Sequence, residues 1–243
     1  MDALQAGCHV FIEKPLSTNV QEAADIVSLA RARGLMVGVG HQFRLCPSLI
    51  EARRRLAAGV IGPLRMVTAV LARPWLGTLA REESRWRFDP KVVGSGILAD
   101  AGDHLIDTLL WITGQTACEV GALQSQRDPL IDLVTAAAIR LMDGTPVALA
   151  VSGIASRASF ALTFYGEAGQ LYATDQQLVE EKPDRLQYEV PLPAPNQTID
   201  SNFIGAILTD APLCCPAHEA LESVRLLEAI ARSAATGQFI RLV

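Results

Sequence analysis

The chain has 243 residues, half of them hydrophobic and 19% charged, with a formal charge of −5. This length and apolar content support a sizeable core and exclude wholesale disorder, and the acidic balance excludes the basic face of a nucleic-acid binder. Aromatic residues are only 5% of the total, so small aliphatics carry the apolar load, which suits a layered α/β architecture better than an all-β sandwich.

In chain order, Leu4–Gly7 resembles the end of a helix, and Cys8–Ile12 is a short apolar run between Gly7 and Glu13-Lys14-Pro15, the pattern of a buried parallel strand. Ser17 or Asn19 can cap a helix that reaches about Arg33 and is closed by Gly34; Leu35–Gly40 is a second buried strand. Strand, helix and strand within about 30 residues form one βαβ unit. A helix from Cys46-Pro47 to about Ala58 follows, with Arg53-Arg54-Arg55 expected on its solvated face. Leu64, Met66, Thr68 and Val70 alternate as in a strand. Residues 74–93 form an irregular excursion of a length that usually serves function.

Asp100–Gly114 is predicted as a helix. Strands are expected at 118–126, 131–142, 146–155, 158–165, 169–174 and 186–191, with turn residues between them. A proline-rich loop at 191–195, a short helix at 198–208 and a final helix from Pro216 to Gly237 complete the chain. The fold class is thus α/β followed by α+β: a short parallel βαβ remnant, then a domain with an open, mainly antiparallel sheet.

No apolar run reaches the roughly 18–20 residues that cross a bilayer, and no signal pattern opens the chain. Five cysteines without zinc-like spacing read as reduced thiols, Cys214-Cys215 as small hydrophobes. A cytoplasmic protein without membrane or nucleic-acid partners is expected.

Two clusters carry candidate chemistry. Glu13-Lys14-Pro15 follows the carboxyl end of a parallel strand, where open α/β sheets place ligands, and a lysine there can hydrogen-bond a hydroxyl or pass it a proton. The second is Asp100-Ala101-Gly102-Asp103-His104-Leu105-Ile106-Asp107. On a regular helix Asp100, His104 and Asp107 share one line, so an acid can orient the histidine and raise its pKa for acid–base work; a surface ion pair and a metal set are the alternatives. Gly94-Ser95-Gly96-Ile97-Leu98-Ala99 matches the dinucleotide pattern but follows no buried strand; its glycines suit close approach to a ligand or a neighbouring sheet instead. His41 and His218 have no obvious partners in the sequence.

Ala3–Leu16 (ALQAGCHVFIEKPL), Val37–Arg44 (VGVGHQFR), Trp86–Pro90 (WRFDP), Ser95–Asp107 (SGILADAGDHLID) and Phe164–Ala173 (FYGEAGQLYA) together resemble the Gfo/Idh/MocA oxidoreductases over essentially the whole chain. The resemblance implies an enzyme that moves hydride between NAD or NADP and a secondary alcohol or ketone of a sugar or cyclic polyol. It implies Lys14, Asp100 and His104 as the catalytic set, His104 as general acid–base. It also implies Glu13, Lys14, Gln42, Trp86 and Arg87 at the cofactor, and Lys14, Arg44, Asp100 and His104 at the substrate, with no resident metal. Gln42, where many members carry Asn, and Gly94-Ser95-Gly96, where a triple glycine is usual, depart from the pattern.

By the same resemblance, residues 1–44 are the remnant of a Rossmann NAD(P)-binding domain, about a hundred residues of which are missing. Residues 45–243 form the substrate-binding and oligomerisation domain, with the open sheet face as a homo-oligomer contact. A fragment, a misplaced start or a degenerate relative all fit this organisation. The competing expectations are a non-catalytic sugar-binding or assembly module, and a metal enzyme built on Asp100, His104 and Asp107.

Overall fold

Local chemistry sets the boundaries of the opening β-α-β crossover. The computed structural model describes residues 1–78, 96–128 and 131–242. After the short helix α1 (Asp2–Gln5), strand β1 (Val10–Ile12) enters; α2 (Val20–Arg33) follows, its first turn capped by Asn19, whose side chain accepts the N–H of Glu22. Gly34 ends α2 at φ 63°, a left-handed conformation that glycine adopts without a Cβ penalty. Strand β2 (Val37–Val39) then pairs in parallel with β1, Val10 opposite Val37 and Ile12 opposite Val39.

A 3-10 turn (Gln42–Leu45) leads into α3 (Pro47–Ala57), where Arg53 and Arg54 are exposed as expected and Arg55 is partly buried. Arg54 is exposed and pairs with Glu51, but Arg53 lies over the Trp111 ring at 4.8 Å, and Arg55 reaches both Glu51 and the buried Glu180. Strand β3 (Leu64–Ala72) alternates as predicted: Val67, Ala69 and Leu71 are buried, Met66 and Val70 exposed. A single turn, α4 (Trp75–Thr78), starts the excursion expected at 74–93; the rest of that stretch lies outside the described residues.

The helix predicted from Asp100 begins earlier and differently. Leu98–Gly102 forms a π-helical turn that runs into the α-helix α5 (Asp103–Thr113), closed by Gly114. Both oxygens of the buried Asp132 carboxylate anchor its start, accepting the N–H groups of Gly96 at 2.8 Å and Leu98 at 3.1 Å. A Cβ on Gly96 would come 2.0 Å from the Asp132 carbonyl oxygen. Close approach to a neighbouring strand is therefore the role of this glycine.

The remaining strands are β4 (Ala117–Asp128), β5 (Ile131–Leu141), β6 (Pro146–Ser152), β7 (Ser159–Gly166), β8 (Gly169–Ala173), β9 (Leu178–Lys182) and β10 (Arg185–Glu189). Helices α6 (Ile199–Thr209) and α7 (Ala217–Thr236) and the short β11 (Ile240–Arg241) complete the order. Strands β3 to β11 form one sheet in the order β10-β9-β8-β7-β3-β6-β5-β4-β11, antiparallel throughout except for β3 beside β6. Strands β9 and β11 were not foreseen. Two successive glutamates hide β9 in the sequence, because one of them, Glu180, is buried through its pairing with Arg55. Strand β6 stops at Ser152 rather than 155: Gly153 turns there, its N–H bonded to the Leu133 carbonyl.

One sheet face packs against α3, α5 and α7, where Leu105, Ile106 and Leu109 share a core with Val147, Leu149 and Val151. The other face exposes small apolar residues, including Ala136 and Ala138 of β5, Ala148 and Ala150 of β6, and Val70. A second core joins α2 and the first two strands to α7 through Ala23, Ala30, Val37, Val39, Ala220, Leu221 and Val224. Among the described residues, no helix is long and apolar enough to cross a membrane.

Candidate active site

Lys14 leaves the carboxyl end of β1 through a turn whose Lys14–Pro15 bond is cis. Its ammonium donates to the Asp100 carbonyl oxygen and lies 3.5 Å from Asp100 Oδ1. The second carboxylate oxygen of Asp100 accepts the indole N–H of Trp75 at 2.6 Å. Lys14, Trp75, Asp100 and His104, with Arg73, Pro74, Ala101 and Ala158, line one cavity of about 340 Å³. An open strand end, a buried helix start and the β3–α4 corner therefore meet at one point. The nearly buried ion pair between Lys14 and Asp100 gains more from charge attraction than an exposed one would, since less water screens it.

His104 is positioned by the same π turn, but its electrostatics differ from the expectation. Asp100 pairs with Lys14 and Trp75, and Asp107 points to another set of partners, so the predicted Asp100–His104–Asp107 line does not form. The extra residue of a π turn shifts the register on which that line depended. Burial first, then the charges of Lys14, His41 and Arg73, push the imidazole down to about 2 instead of raising it. His104 is therefore a neutral ring, and its Nδ1 is buried without a hydrogen-bond partner among the described residues.

Behind the cavity lies a second polar layer. Arg44, expected at the substrate, is instead buried and clamps Asp107 through two parallel bonds of 2.9 and 2.7 Å. It also donates to the Cys214 carbonyl at 3.1 Å and to Glu219, joining α5 to α7. His41, partnerless in the sequence, is buried between Asp103 and Asp107, with ring nitrogens 3.5 and 3.7 Å from their carboxylates. Burial raises the Asp103 carboxyl, while His41 opposes the rise. Among the described residues, the ligand-type side chains that approach one another are His41, Asp107 and Cys215, not the trio suggested for a metal. Trp86 and Arg87 lie outside the described residues.

Gln42 is exposed on the 3-10 turn beyond β2 and does not line the cavity. Glu13 is exposed beside the end of β2, where a Cβ on Gly40 would come 3.0 Å from Glu13 Oε2 and 3.4 Å from the Lys14 nitrogen. The close approach of Gly40 to the β1 turn, the acceptor Glu13 and the donor Lys14 fit the ribose and nicotinamide end of a dinucleotide. No glycine-rich phosphate loop follows β1 or β2, so the pyrophosphate end has no clamp among the described residues.

Trp75, His41, Asp103 and Asp132 were missed from the sequence. The available signal for the buried acids was their setting: Asp103 and Asp107 lie in a helix whose other faces are apolar, so they require partners from elsewhere in the fold.

Residues 49–172 match the GFO/IDH/MocA C-terminal domain, and residues 1–41 match the oxidoreductase family with an NAD-binding Rossmann fold. The chain belongs to the Gfo/Idh/MocA oxidoreductase family. Among its relatives, an uncharacterised oxidoreductase of Synechocystis is 28% identical over 70% of this chain and 49% of its own length. The 1,5-anhydro-D-fructose reductase of Ensifer adhaerens is 32% identical over 50% of this chain and 35% of its own. The chain thus spans half or less of the length of the curated relatives it matches. The fold is that of an inositol dehydrogenase homolog of Azotobacter vinelandii complexed with NAD+, with a TM-score of 0.88 and 20% identity over 99% of this chain and 74% of the other. The parallel β1–β2 pair and the large mixed sheet are thus the two layers of a Gfo/Idh/MocA fold.

Proposed function

We propose that this chain is the substrate-facing part of an NAD(P)-dependent dehydrogenase or reductase acting on a secondary alcohol or ketone of a sugar or cyclic polyol. The observation that carries the reading is the convergence of Lys14, Asp100 and His104 on one cavity beside the carboxyl end of β1. The reductase named for an anhydro sugar among the relatives supports the substrate class. Bound NAD or NADP would supply the two-electron partner of the reaction.

The chain's own residues supply position and proton transfer. In the oxidation direction, Lys14 donates a hydrogen bond to the substrate oxygen and stabilises the negative charge that grows as its proton leaves. His104, a neutral ring on the same cavity, relays that proton rather than keeping it, because burial disfavours its charged form. Asp100 balances the Lys14 charge, and Trp75 fixes the Asp100 carboxylate. In the reduction direction the same proton returns to the carbonyl oxygen. Glu13 and Lys14 would hold the ribose of a bound cofactor.

Residues 1–44 serve as part of the nucleotide-binding domain and 45–243 as the substrate and assembly domain. The exposed Ala136, Ala138, Ala148 and Ala150 face is a contact between copies of the chain, because a flat apolar sheet face of this kind favours burial. Five free cysteines fit a cytoplasmic location.

The test is a fluorescence titration of NADH and NADPH into the chain, with Lys14→Met beside it. Binding that weakens at least tenfold in the variant supports the reading. No binding up to millimolar cofactor, or equal binding by both proteins, overturns it for this chain.

A further inference from the structure

We propose that His41 is a positively charged bridge between Asp103 and Asp107 and, through them, the positioning residue for His104. The part that concerns His104 rests on the function proposed above; the charge state of His41 does not. The argument begins with geometry. His41 is almost fully buried, and neither ring nitrogen has a hydrogen-bond partner among the described residues. Nε2 faces Asp103 Oδ2 at 3.5 Å and Nδ1 faces Asp107 Oδ2 at 3.7 Å. A neutral imidazole has one donor nitrogen and one acceptor nitrogen, whereas a carboxylate only accepts. The two contacts are of ion-pair length, and only the doubly protonated ring turns an N–H and a positive charge toward both acids.

Charge balance leads to the same state. Asp103, Asp107 and Arg44 are all buried; of the two buried acids the guanidinium bonds only Asp107, and its other nitrogen is already taken by the Cys214 carbonyl and the partly exposed Glu219. A buried charge without a counter-charge is strongly disfavoured. One more proton is therefore needed, on His41 or on Asp103. Burial raises the Asp103 carboxyl, but an ordinary imidazole is a far stronger base than an ordinary carboxylate, and the His41 ring faces two acids at once. The His104 ring meets His41 edge-on at 5.8 Å and is the remaining titratable ring against it. Cys215 is also close, with its thiol pushed up by burial and by Asp107.

A cation held by His41, Asp107 and Cys215 is the rival occupant. Arg44 already binds both oxygens of Asp107, which places a fixed positive charge where a metal ion would have to bind. Asp103 is the residue before His104 and stands at the junction between the π turn and α5. A His41 charge that fixes Asp103 therefore fixes the turn that presents His104 to the cavity.

The test is nitrogen NMR of the imidazole rings in the whole chain at pH 8, carrying His9→Gln and His218→Gln. Both of those histidines are exposed, and only His41 and His104 then remain. The expected spectrum shows one ring with two protonated nitrogens and one ring with a single protonated nitrogen. Asp103→Asn should convert the first ring to the neutral form while the chain remains folded. Two neutral rings in the parent would overturn the proposal by placing the proton on Asp103. A shift of the ring signals on titration with zinc would overturn it in favour of a metal site. In His41→Gln, the His104 signal should move; an unmoved His104 signal in a folded variant would end the positioning role. These outcomes are independent of cofactor binding, so failure of the dehydrogenase reading leaves the His41 result interpretable.

Discussion

Trp75 holds Asp100 in place: the indole N–H donates to Oδ2 at 2.6 Å while Lys14 approaches Oδ1 at 3.5 Å. The two donors come from different parts of the fold, so the carboxylate is fixed between the β1 turn and the β3–α4 corner. Trp75→Phe keeps most of the ring volume and removes only the donor. Urea unfolding should show a loss of about 1 kcal/mol, because a hydrogen bond to a partly buried carboxylate is removed. An unchanged midpoint would show that this bond contributes nothing.

His104 makes the chain acid-sensitive. Its folded pKa is depressed from 6.5 to about 2, so above about 6.5 neither the folded nor the unfolded state protonates it and stability is at its full level. Below that pH the unfolded chain takes up a proton that the folded chain refuses, and stability falls by about 1.4 kcal/mol per pH unit. His104→Gln removes the effect. Between about pH 6.5 and 4.5, the variant should lose about 2–3 kcal/mol less than the parent in urea unfolding. Parallel losses in the two proteins would contradict the burial of a neutral ring.

Asp132 anchors the start of the π turn by accepting two backbone N–H groups and the Thr135 hydroxyl. Asp132→Ala strands those donors in the interior. Thermal and urea unfolding should report a loss of about 3 kcal/mol, and hydrogen exchange at Gly96 and Leu98 should accelerate. Protected amides in the variant would mean that the glycine packing alone secures the turn.

The outer sheet face can be tested without disturbing the core. Ala138 pairs with Ala148 across β5 and β6, both exposed. Ala138→Arg should shift the chain to monomers in analytical ultracentrifugation while changing unfolding by less than about 0.5 kcal/mol. Unchanged association would move the proposed contact to another surface.

The sequence made the elements legible where a repeating pattern or a breaker marked them. The Asn19 cap, the Gly34 stop and the alternation through β3 all appear where their chemistry predicts. Lys14 and His104 were legible because each follows a local feature, a strand end and a buried helix. The π turn was not, since one inserted residue leaves no trace in composition yet rotates Asp107 away from Asp100. His41 was illegible for another reason: its acids lie some sixty residues later and meet it only through tertiary packing. Glu180 hid β9 because a strand glutamate looks solvent-facing until Arg55 of α3 is placed beside it.

Helix α7 closes the core beneath the first two strands; at its entrance Gly38 of β2 lies opposite Pro216 and the Val39 N–H donates to the Cys215 carbonyl. This arrangement has a consequence for biosynthesis. During translation, β1, α2 and β2 emerge well before α7 and remain without its apolar cover until residues beyond 217 have left the ribosome. At ordinary elongation rates that wait is on the order of ten seconds or more. Through that interval the nascent chain exposes Val37, Val39 and the apolar side of α2, which makes it a client for chaperones that bind extended hydrophobic segments. A stop codon just before α7 would therefore cost the β1–α2–β2 unit, made about 180 residues earlier, as well as the helix itself.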